Sequence, residues 1–225
     1  MGNDSMRTRI KQYTLLVAFW FYITAATALP ETSFELEFFQ YDIPLKNNAV
    51  LDVDALGIRY GERYAYSPIR FELLLGQQLA SHNNPVLQGV RASGYYGGIN
   101  LHYESPVKYR LQAGGDISYV YHSAQQQINQ QEIDMRLHTS EVRLWLGLHV
   151  NPHIKLYACA STISINGKQT ISDTVFSQAD FSNLHKKGYC GGVRYDLGDA
   201  GYIGLEGSGR HRQGGRIFFG RHFRM

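Results

Sequence analysis

The sequence contains little of what defines several common classes of protein. It has two cysteines and six prolines in 225 residues, so it is not a disulfide-dense scaffold. Charged residues make up 18% and hydrophobic residues 44%, which is not the composition of a disordered chain. A formal net charge of +3 gives no electrostatic basis for binding nucleic acid. After residue 28 there is no run of about 18 apolar residues, so no membrane-spanning helix is predicted there.

Motifs that hold metals or cofactors are missing as well. Nine histidines are present, but none lies in an HExxH or similar ligand spacing. The two cysteines do not form a CxxC pair, which argues against a redox centre. The sequence therefore predicts neither a metal site nor a cofactor.

The N-terminus has the three parts of a secretory signal peptide. A positively charged stretch at residues 7–11 precedes an apolar core at 13–23, and an A-x-A cleavage pattern ends at Ala28. The apolar core is shorter than the roughly 20 residues that a spanning helix needs. We expect residues 1–28 to be cleaved after they direct the chain through the inner membrane, and residues 29–225 to form one domain.

What the rest of the sequence does show is a period of two. Apolar Val142, Leu144 and Leu146 alternate with Arg143 and Trp145, as in a strand whose two faces meet different surroundings. Similar segments recur along the chain, with no convincing helical pattern between them. About ten strands are predicted, near 33–41, 55–64, 69–80, 93–104, 109–122, 136–150, 154–165, 188–197, 201–208 and 215–223.

The connections between these strands alternate in length. Pro, Gly, Asn and Asp supply the backbone angles of short turns. The short turns lie at 65–68, 105–108, 151–153 and 198–200, and the long connections lie near 42–54, 81–92, 123–135 and 166–187. Short turns on one rim and long loops on the other are typical of a bacterial outer-membrane barrel.

A soluble sandwich or lipocalin-like barrel would also alternate, with its apolar face inward. Two features favour a membrane barrel instead. Glycines on the polar rows would leave room inside a narrow barrel: Gly57, Gly61, Gly76, Gly98, Gly114, Gly147, Gly192, Gly204 and Gly220. Aromatic residues that end the apolar rows suit the two membrane interfaces: Phe34, Tyr95, Tyr103, Tyr109, Tyr119, Tyr121 and Phe223.

With these features, residues 33–225 resemble the small outer-membrane β-barrels of Gram-negative bacteria. The alternating segment 217–223 resembles their C-terminal assembly signal, although Arg221 interrupts its apolar row and two residues follow Phe223. The resemblance implies an all-β fold: a closed antiparallel up-and-down transmembrane barrel of about ten strands in the cell outer membrane. It also implies contact with outer-membrane lipid and with the barrel-assembly machinery through the last strand.

On this interpretation the polar rows face the interior and carry both signs of charge. Long charged side chains would nearly fill a barrel of this size, and buried charges must pair. We predict a salt-bridged plug with the network Arg70, Glu72, Arg110, Asp116, Glu141, Arg143, Arg194 and Glu206. Further inward charges are Glu35, Glu37, Arg59, Arg63, Glu104, Asp196 and Arg216. A narrow pore for small solutes is the alternative use of the same interior.

The cysteines suggest a disulfide. Cys159 and Cys190 both fall on polar rows, at similar heights when counted from the short turns at 151–153 and 198–200. An even number of cysteines suits an oxidising compartment. We predict a bridge between the seventh and eighth strands, at the base of the longest loop.

An enzymatic alternative rests on His122. The histidine lies where the fifth strand would leave the membrane, a position at which outer-membrane enzymes that edit lipid A or phospholipid use His with Ser. A serine nucleophile needs a histidine base and an orienting acid. Ser123 is adjacent but faces the opposite side, whereas Ser118 and Asp116 share the face of His122. These four residues are the candidate catalytic set of a lipid hydrolase.

The longest connection offers a second enzymatic comparison. Asp173, Asp180 and His185 resemble the acidic residues and histidine of outer-membrane proteases, the omptins. The chain is much shorter than those enzymes, and the predicted strands do not extend far past the membrane. The leading functional prediction is therefore a structural or surface-interaction barrel whose loops could bind a surface ligand.

Overall fold

The computed structural model describes residues 31–46, 49–64, 67–82, 91–128, 131–172 and 177–224, so the predicted signal peptide lies outside the described residues. No helix in these ranges is long and apolar enough to cross a membrane. The strands are β1 (Glu31–Pro44), β2 (Val50–Arg63), β3 (Ile69–His82), β4 (Arg91–Glu104), β5 (Leu111–Ile128), β6 (Gln131–His149), β7 (Ile154–Ser172), β8 (Ser177–Ser182), β9 (Lys187–Asp196), β10 (Tyr202–Gly209) and β11 (Gln213–Arg224).

These strands form one closed antiparallel ring. Consecutive strands pair from β1 to β7, and β1 pairs with β11 to close the ring. Both β8 and β9 pair with β7, β8 with its upper part and β9 with its lower part. They act as one interrupted strand, so the ring has ten positions. The prediction of a ten-stranded up-and-down barrel is confirmed.

At the interruption between β8 and β9, an asparagine side chain supplies hydrogen bonds in place of the missing backbone pairs. The Oδ1 atom of buried Asn183 accepts a hydrogen bond from the Ile165 N–H (3.0 Å), and Nδ2 donates to the carbonyl oxygens of Ile163 (3.1 Å) and His185 (2.6 Å). We call this interruption, at residues 183–186, the bulge. The bonds from Asn183 satisfy backbone groups that the bulge would otherwise leave without partners.

The ladder register sets the shape of the barrel. Paired residues followed once around the ring lead from Glu104 on β4 back to Ala92 on the same strand, 12 residues away. Such a stagger accompanies strands tilted by about 40° from the barrel axis. The interior is narrow enough for side chains to fill it.

Outward rows in the lower part of the barrel are apolar. On β6, Leu144 and Leu146 are 68% and 69% exposed, while Trp145 between them is buried inside and Arg143 also points into the interior. The predicted orientation of these rows is confirmed. We name the apolar belt by its exposed residues: Phe34, Leu36, Phe38, Ile58, Leu73, Ile99, Ile117, Leu144, Leu146, Leu205, Ile217 and Phe219.

Above this belt the polarity of the two faces is exchanged. On β1, Gln40 and Asp42 are exposed outside, whereas Tyr41, Ile43 and Leu45 are buried inside. The upper end is therefore a water-facing barrel with an apolar centre. This upper core consists of Tyr41, Ile43, Leu45, Ala49, Leu51, Val53, Ala80, Ala92, Ala124, Met135, Leu137, Ile163, Ile165 and Phe181.

The exchange of polarity explains an error in the predicted boundaries. Of the segments predicted as long loops, the described residues of 42–54, 123–135 and 166–187 are largely strand, and β6 and β7 each have 19 residues. In the fourth, 81–92, the described residues are the ends of β3 and β4. The strands do extend well past the belt, contrary to expectation. Apolar and polar residues still alternate through these segments. The sequence prediction, however, followed apolar residues on the outward face, and that row ends where the apolar residues move to the inward face.

The ring also changes its number of strands along its axis. The β10–β11 hairpin turns at residues 210–212, well below the ends of its neighbours. Above it, the end of β1 pairs with the end of β8. The Lys46 N–H donates to the Ser182 carbonyl (3.0 Å), and the Leu184 N–H donates to the Pro44 carbonyl (2.8 Å). Ten strands below therefore become eight above.

Inward glycines make room for aromatic rings. A Cβ at Gly57 would lie 1.8 Å from the Tyr96 hydroxyl, and one at Gly114 would lie 2.2 Å from the Trp145 ring. The partner rings come from nearby strands: Trp145 lies on the adjacent strand, where it pairs directly with Gly114, and Tyr96 lies on the next strand but one from Gly57. Glycine is required here by close approach.

A lipid-facing charge tests the position of the belt. Leu144→Arg is expected to lower the free energy of unfolding by about 2–4 kcal/mol, the cost of a basic side chain at the bilayer midplane. Urea unfolding in lipid vesicles, followed by tryptophan fluorescence, measures this. Gln125→Arg, outward on β5 above the belt, is the control and should change stability by no more than about 0.5 kcal/mol. Equal losses at both positions would contradict this placement.

Candidate functional site

Charged side chains from several strands meet at mid-height in the interior. Glu37 lies between two guanidinium groups, with its Oε2 atom 3.2 Å from Arg59 Nη2 and 3.2 Å from Arg216 Nη1. Glu206 repeats the arrangement, since its Oε2 atom lies 3.1 Å from Arg143 Nη1 and 3.3 Å from Arg216 Nη2. Arg216 therefore joins two carboxylates that belong to different strands.

The same network continues through the neighbouring strands. Arg59 Nη1 lies 3.0 Å from Glu72 Oε2, and Asn100 Nδ2 donates to Glu72 (2.7 Å) and to Asp116 (3.2 Å). Asp116 in turn lies 2.8 Å from His102 Nδ1. We name the charged layer by its seven ionisable members: Glu37, Arg59, Glu72, Asp116, Arg143, Glu206 and Arg216.

Most of the predicted interior charges lie in or beside this layer. Glu141 contacts Arg143, with 3.6 Å between Oε1 and Nε, and Arg70 lies 3.5 Å from Glu72. Arg194 pairs with Asp196 at 2.7 Å, nearer the lower rim. The strand rows placed these side chains inside, as alternation predicts.

Arg110 is a wrong prediction. It is exposed in the tight β4–β5 turn, where Tyr109 and Arg110 have φ angles of 52° and 68°. Two consecutive positive φ values are typical of a two-residue hairpin turn. The predicted fifth strand began at residue 109, so alternation was counted through a turn that has no inward face.

Two interior residues were missed by sequence reasoning. Arg212 reaches in from the β10–β11 turn and pairs with Glu141 at 3.3 Å. Asn100 carries no charge, yet it links two carboxylates of the layer. The inward row on β4 contains Asn100, which could have been found by listing polar as well as charged residues. No sequence pattern places the Arg212 side chain, because it lies in a turn.

The charged layer separates two cavities of about 110 Å³ each. The upper cavity lies between the layer and the upper core, and the lower cavity lies towards the rim of short turns. Arg59, Asp116, Arg143 and Arg216 line both cavities. They are the partition between the two spaces.

The predicted disulfide is present in the wall of the lower cavity. Cys159 on β7 and Cys190 on β9 are direct ladder partners, 4.9 Å apart between Cα atoms. Both are buried against Trp145. The bridge closes a chain segment with a sequence separation of 31 that contains β8 and the bulge.

The candidate hydrolase residues are only partly assembled. His122, Ser118 and Asp116 all line the upper cavity. However, His122 Nδ1 lies 2.6 Å from Gln78 Oε1, and the contacts of Asp116 are to His102 and Asn100. Ser123 lies on the outward row of β5, as its alternation predicts. Lipid hydrolysis stays a prediction.

The residues of the protease comparison lie elsewhere. Asp180 is exposed on β8, and the carbonyl oxygen of His185 accepts a bond from the Asn183 side chain at the bulge. Asp173 is outside the described residues. The interior, not this segment, is where ionisable groups converge.

By its closed ring, apolar belt and charged interior, the chain has the fold of an outer-membrane β-barrel. The beta domain of the Bordetella autotransporter BrkA is similar over 88% of this chain and 100% of that chain, with a TM-score of 0.53 and 10% identity. The translocator domain of the autotransporter NalP from Neisseria meningitidis has a TM-score of 0.44 and 9% identity, over 99% of this chain and 98% of that one. The outer membrane protease OmpT from Escherichia coli has a TM-score of 0.40 and 8% identity, over 87% of this chain and 94% of that one.

At this identity the likeness to BrkA concerns the fold alone. No protein family matches the sequence, and no curated protein matches it.

Proposed function

We propose that the protein is a plugged barrel of the outer membrane with a structural or surface-interaction role. The observation that carries this proposal is the charged layer across the interior. Its side chains come from β1, β2, β3, β5, β6, β10 and β11, so it cross-links most of the ring. A solute would have to break buried ion pairs in order to pass.

The energetic cost of opening the layer supports a closed state. Removing one partner of a buried pair leaves an uncompensated charge, which costs about 3–5 kcal/mol. Arg216 and Arg59 share Glu37, and Arg216 and Arg143 share Glu206, so displacing one side chain disturbs several pairs. The layer therefore holds the barrel shut and fixes its shape.

The water-facing upper barrel provides the surface part of the proposal. Outside β6, β7 and β8 there is a groove of about 540 Å³ above the belt, lined by basic Lys46, Arg136 and Lys168 together with Asp180 and Phe181. Exposed polar strands give a rigid platform for a partner at the cell surface. The function thus depends on strand surfaces as well as on loops.

Lipid and the assembly machinery are the proposed partners of the outer wall. The apolar belt would contact hydrocarbon, since its residues have no protein neighbours outside in the described chain. Phe223 is exposed on β11 and pairs with Thr32 on β1, where the ring closes. A last strand that closes the ring is well placed to be the segment by which assembly factors recognise the chain.

Planar-bilayer conductance tests the closed state. The wild-type barrel is expected to give no stepwise currents, because the layer fills the interior. A Glu37→Ala/Arg59→Ala/Arg216→Ala variant removes the partition between the cavities, but it is expected to stay silent as well, because the upper core still fills the barrel above them. Stepwise currents through the wild type would favour the pore alternative and contradict this proposal.

A further inference from the structure

Basic side chains are concentrated on one side of the outer wall, from the upper edge of the apolar belt upwards. Arg136 on β6 is the ladder partner of Lys168 on β7, and both are exposed on outward rows. The Lys46 N–H donates to the Ser182 carbonyl (3.0 Å), which joins the end of β1 to β8 beside them. The bulge and the start of β9 add two exposed lysines nearer the belt. We name the basic strip by its five members: Lys46, Arg136, Lys168, Lys186 and Lys187.

The basic strip lies at the height of lipid headgroups. A strand tilted by about 40° rises about 2.5 Å per residue along the barrel axis. The outward apolar row of β6 begins at Val150, so a band about 25 Å tall ends near Ser140. Lys187 shares a ladder row with Val142, about 5 Å below this boundary, and Arg136 lies about 10 Å above it. The headgroup layer is about 5–7 Å thick on each side, and long basic side chains can bend towards it.

Positive charge remains in excess in the basic strip after its acidic neighbours are counted. Arg136 pairs with Asp134 at 2.7 Å, and Asp180 is the ladder partner of Lys168. These two acids face five basic side chains, so three positive charges are left over. The four lysines are exposed and form no ion pair within the ranges that the structure describes.

Other acids of the outer wall lie away from the basic strip. Glu132, the next acid along β6, is four residues beyond Arg136, which is about 13 Å along the strand. The outward rows of β1 and β2 carry the remaining acids above the belt: Asp42, Asp52 and Asp54. The excess of positive charge therefore belongs to the β6–β9 side of the barrel.

Hydroxyl groups lie between the basic strip and the belt. Ser140 on β6 and Ser164 on β7 are ladder partners on outward rows, and the hydroxyl of exposed Tyr119 lies 2.7 Å from His138 Nδ1. Hydroxyls can donate hydrogen bonds to phosphate oxygens, and tyrosine is suited to a membrane interface. The surface thus changes from hydrocarbon contact to phosphate contact over a short distance.

We propose that the basic strip binds the phosphate headgroups of anionic lipids in the leaflet at this end of the barrel. Lysine and arginine attract phosphate through charge and charge-assisted hydrogen bonds. The acyl chains lie along the belt below, a contact that a free phosphate ion cannot make. This inference rests on the proposed position of the barrel in the membrane, and it names the partner of the groove outside β6, β7 and β8.

Electron spin resonance of spin-labelled lipids tests the proposal. The folded chain is placed in phosphatidylcholine vesicles with a trace of spin-labelled phosphatidic acid or spin-labelled phosphatidylcholine, and the motionally restricted fraction of each label is measured. A preference of at least about threefold for phosphatidic acid is expected, and it should fall in high salt, which screens exposed charges. Equal restriction of the two labels would overturn the proposal. Inorganic phosphate added at constant ionic strength should not reduce the preference; a reduction would overturn the assignment to lipid.

A triple variant and a matched control locate the site. Lys46→Gln/Arg136→Gln/Lys168→Gln leaves two basic side chains against two acids, so the preference for phosphatidic acid is expected to disappear. Arg91→Gln is the control, because Arg91 is exposed on β4 but lies 3.9 Å from Asp54, outside the basic strip. An equal loss in Arg91→Gln, or no loss in the triple variant, would overturn the placement.

A heat-dependent gel shift checks that each variant has folded. If the triple variant fails that check, Lys46→Gln and Lys168→Gln are measured singly, since both side chains are exposed. Each should lower the preference, and no change in either would overturn the placement. The conductance measurement on the wild type is independent of lipid preference. Currents with the preference retained would contradict the plugged state alone, and silence without a preference would contradict the lipid site alone.

Discussion

Replacing Glu206 with glutamine is expected to lower the free energy of unfolding by about 3–5 kcal/mol, the cost of breaking a buried ion pair by removing one partner. The Glu206 side chain is fully buried. It accepts hydrogen bonds from Arg143 (3.1 Å), Arg216 (3.3 Å) and the Tyr157 hydroxyl (3.0 Å). The substitution keeps the shape of the side chain and removes its charge, so two guanidinium groups lose their shared counterion.

Urea unfolding in lipid vesicles, followed by loss of the heat-modifiable gel form, measures this effect. Glu62→Gln is the matched control, because Glu62 bonds only to the exposed Tyr60 hydroxyl in the described chain. That change should cost less than about 1 kcal/mol. Similar small losses for both variants would show that the layer fills space without contributing a coupled network.

Loss of the disulfide is the second large effect. A Cys159→Ala/Cys190→Ala chain is expected to be about 3–4 kcal/mol less stable, because the bridge restricts a 31-residue segment of the unfolded chain. The bridge joins directly paired residues on β7 and β9, so its removal should leave the native ladder in place. The loss is therefore expected in stability and not in folded structure.

Urea unfolding of the wild type with and without a thiol reductant gives the same comparison without mutation. The reduced wild type and the double alanine variant should have the same unfolding midpoint. The control is the double variant with and without reductant, which should show no difference. A wild type insensitive to reductant under unfolding conditions would contradict an entropic contribution from this bridge.

Sequence reasoning succeeded where a strand keeps one polarity along its length. Between residues 142 and 148 the aliphatic residues are exposed on the outer face, and Arg143 and Trp145 face the interior. The cysteines could be paired because both lie on inward rows at similar heights above neighbouring turns. In each case the prediction depends on a short segment of sequence, in which the two-residue alternation shows which side chains share a face.

Sequence reasoning failed where contacts depend on the closure of the ring. Arg110 was counted into the interior although it lies in a turn, and Arg212 was left out although it reaches Glu141 across the barrel. The upper core was read as loops because its apolar residues switch to the inward face. Nothing in a single strand indicates which solvent surrounds it.

The sequence by itself determined the number of barrel strands, which residues share a row and the cysteine pair, because all three follow from alternation and turn chemistry along the chain. Only the tertiary structure decided which charges meet, where ten strands narrow to eight, and that the charged layer leaves a cavity on each side. Those features depend on the 12-residue stagger of the closed ring, which brings residues that are distant in sequence to one height.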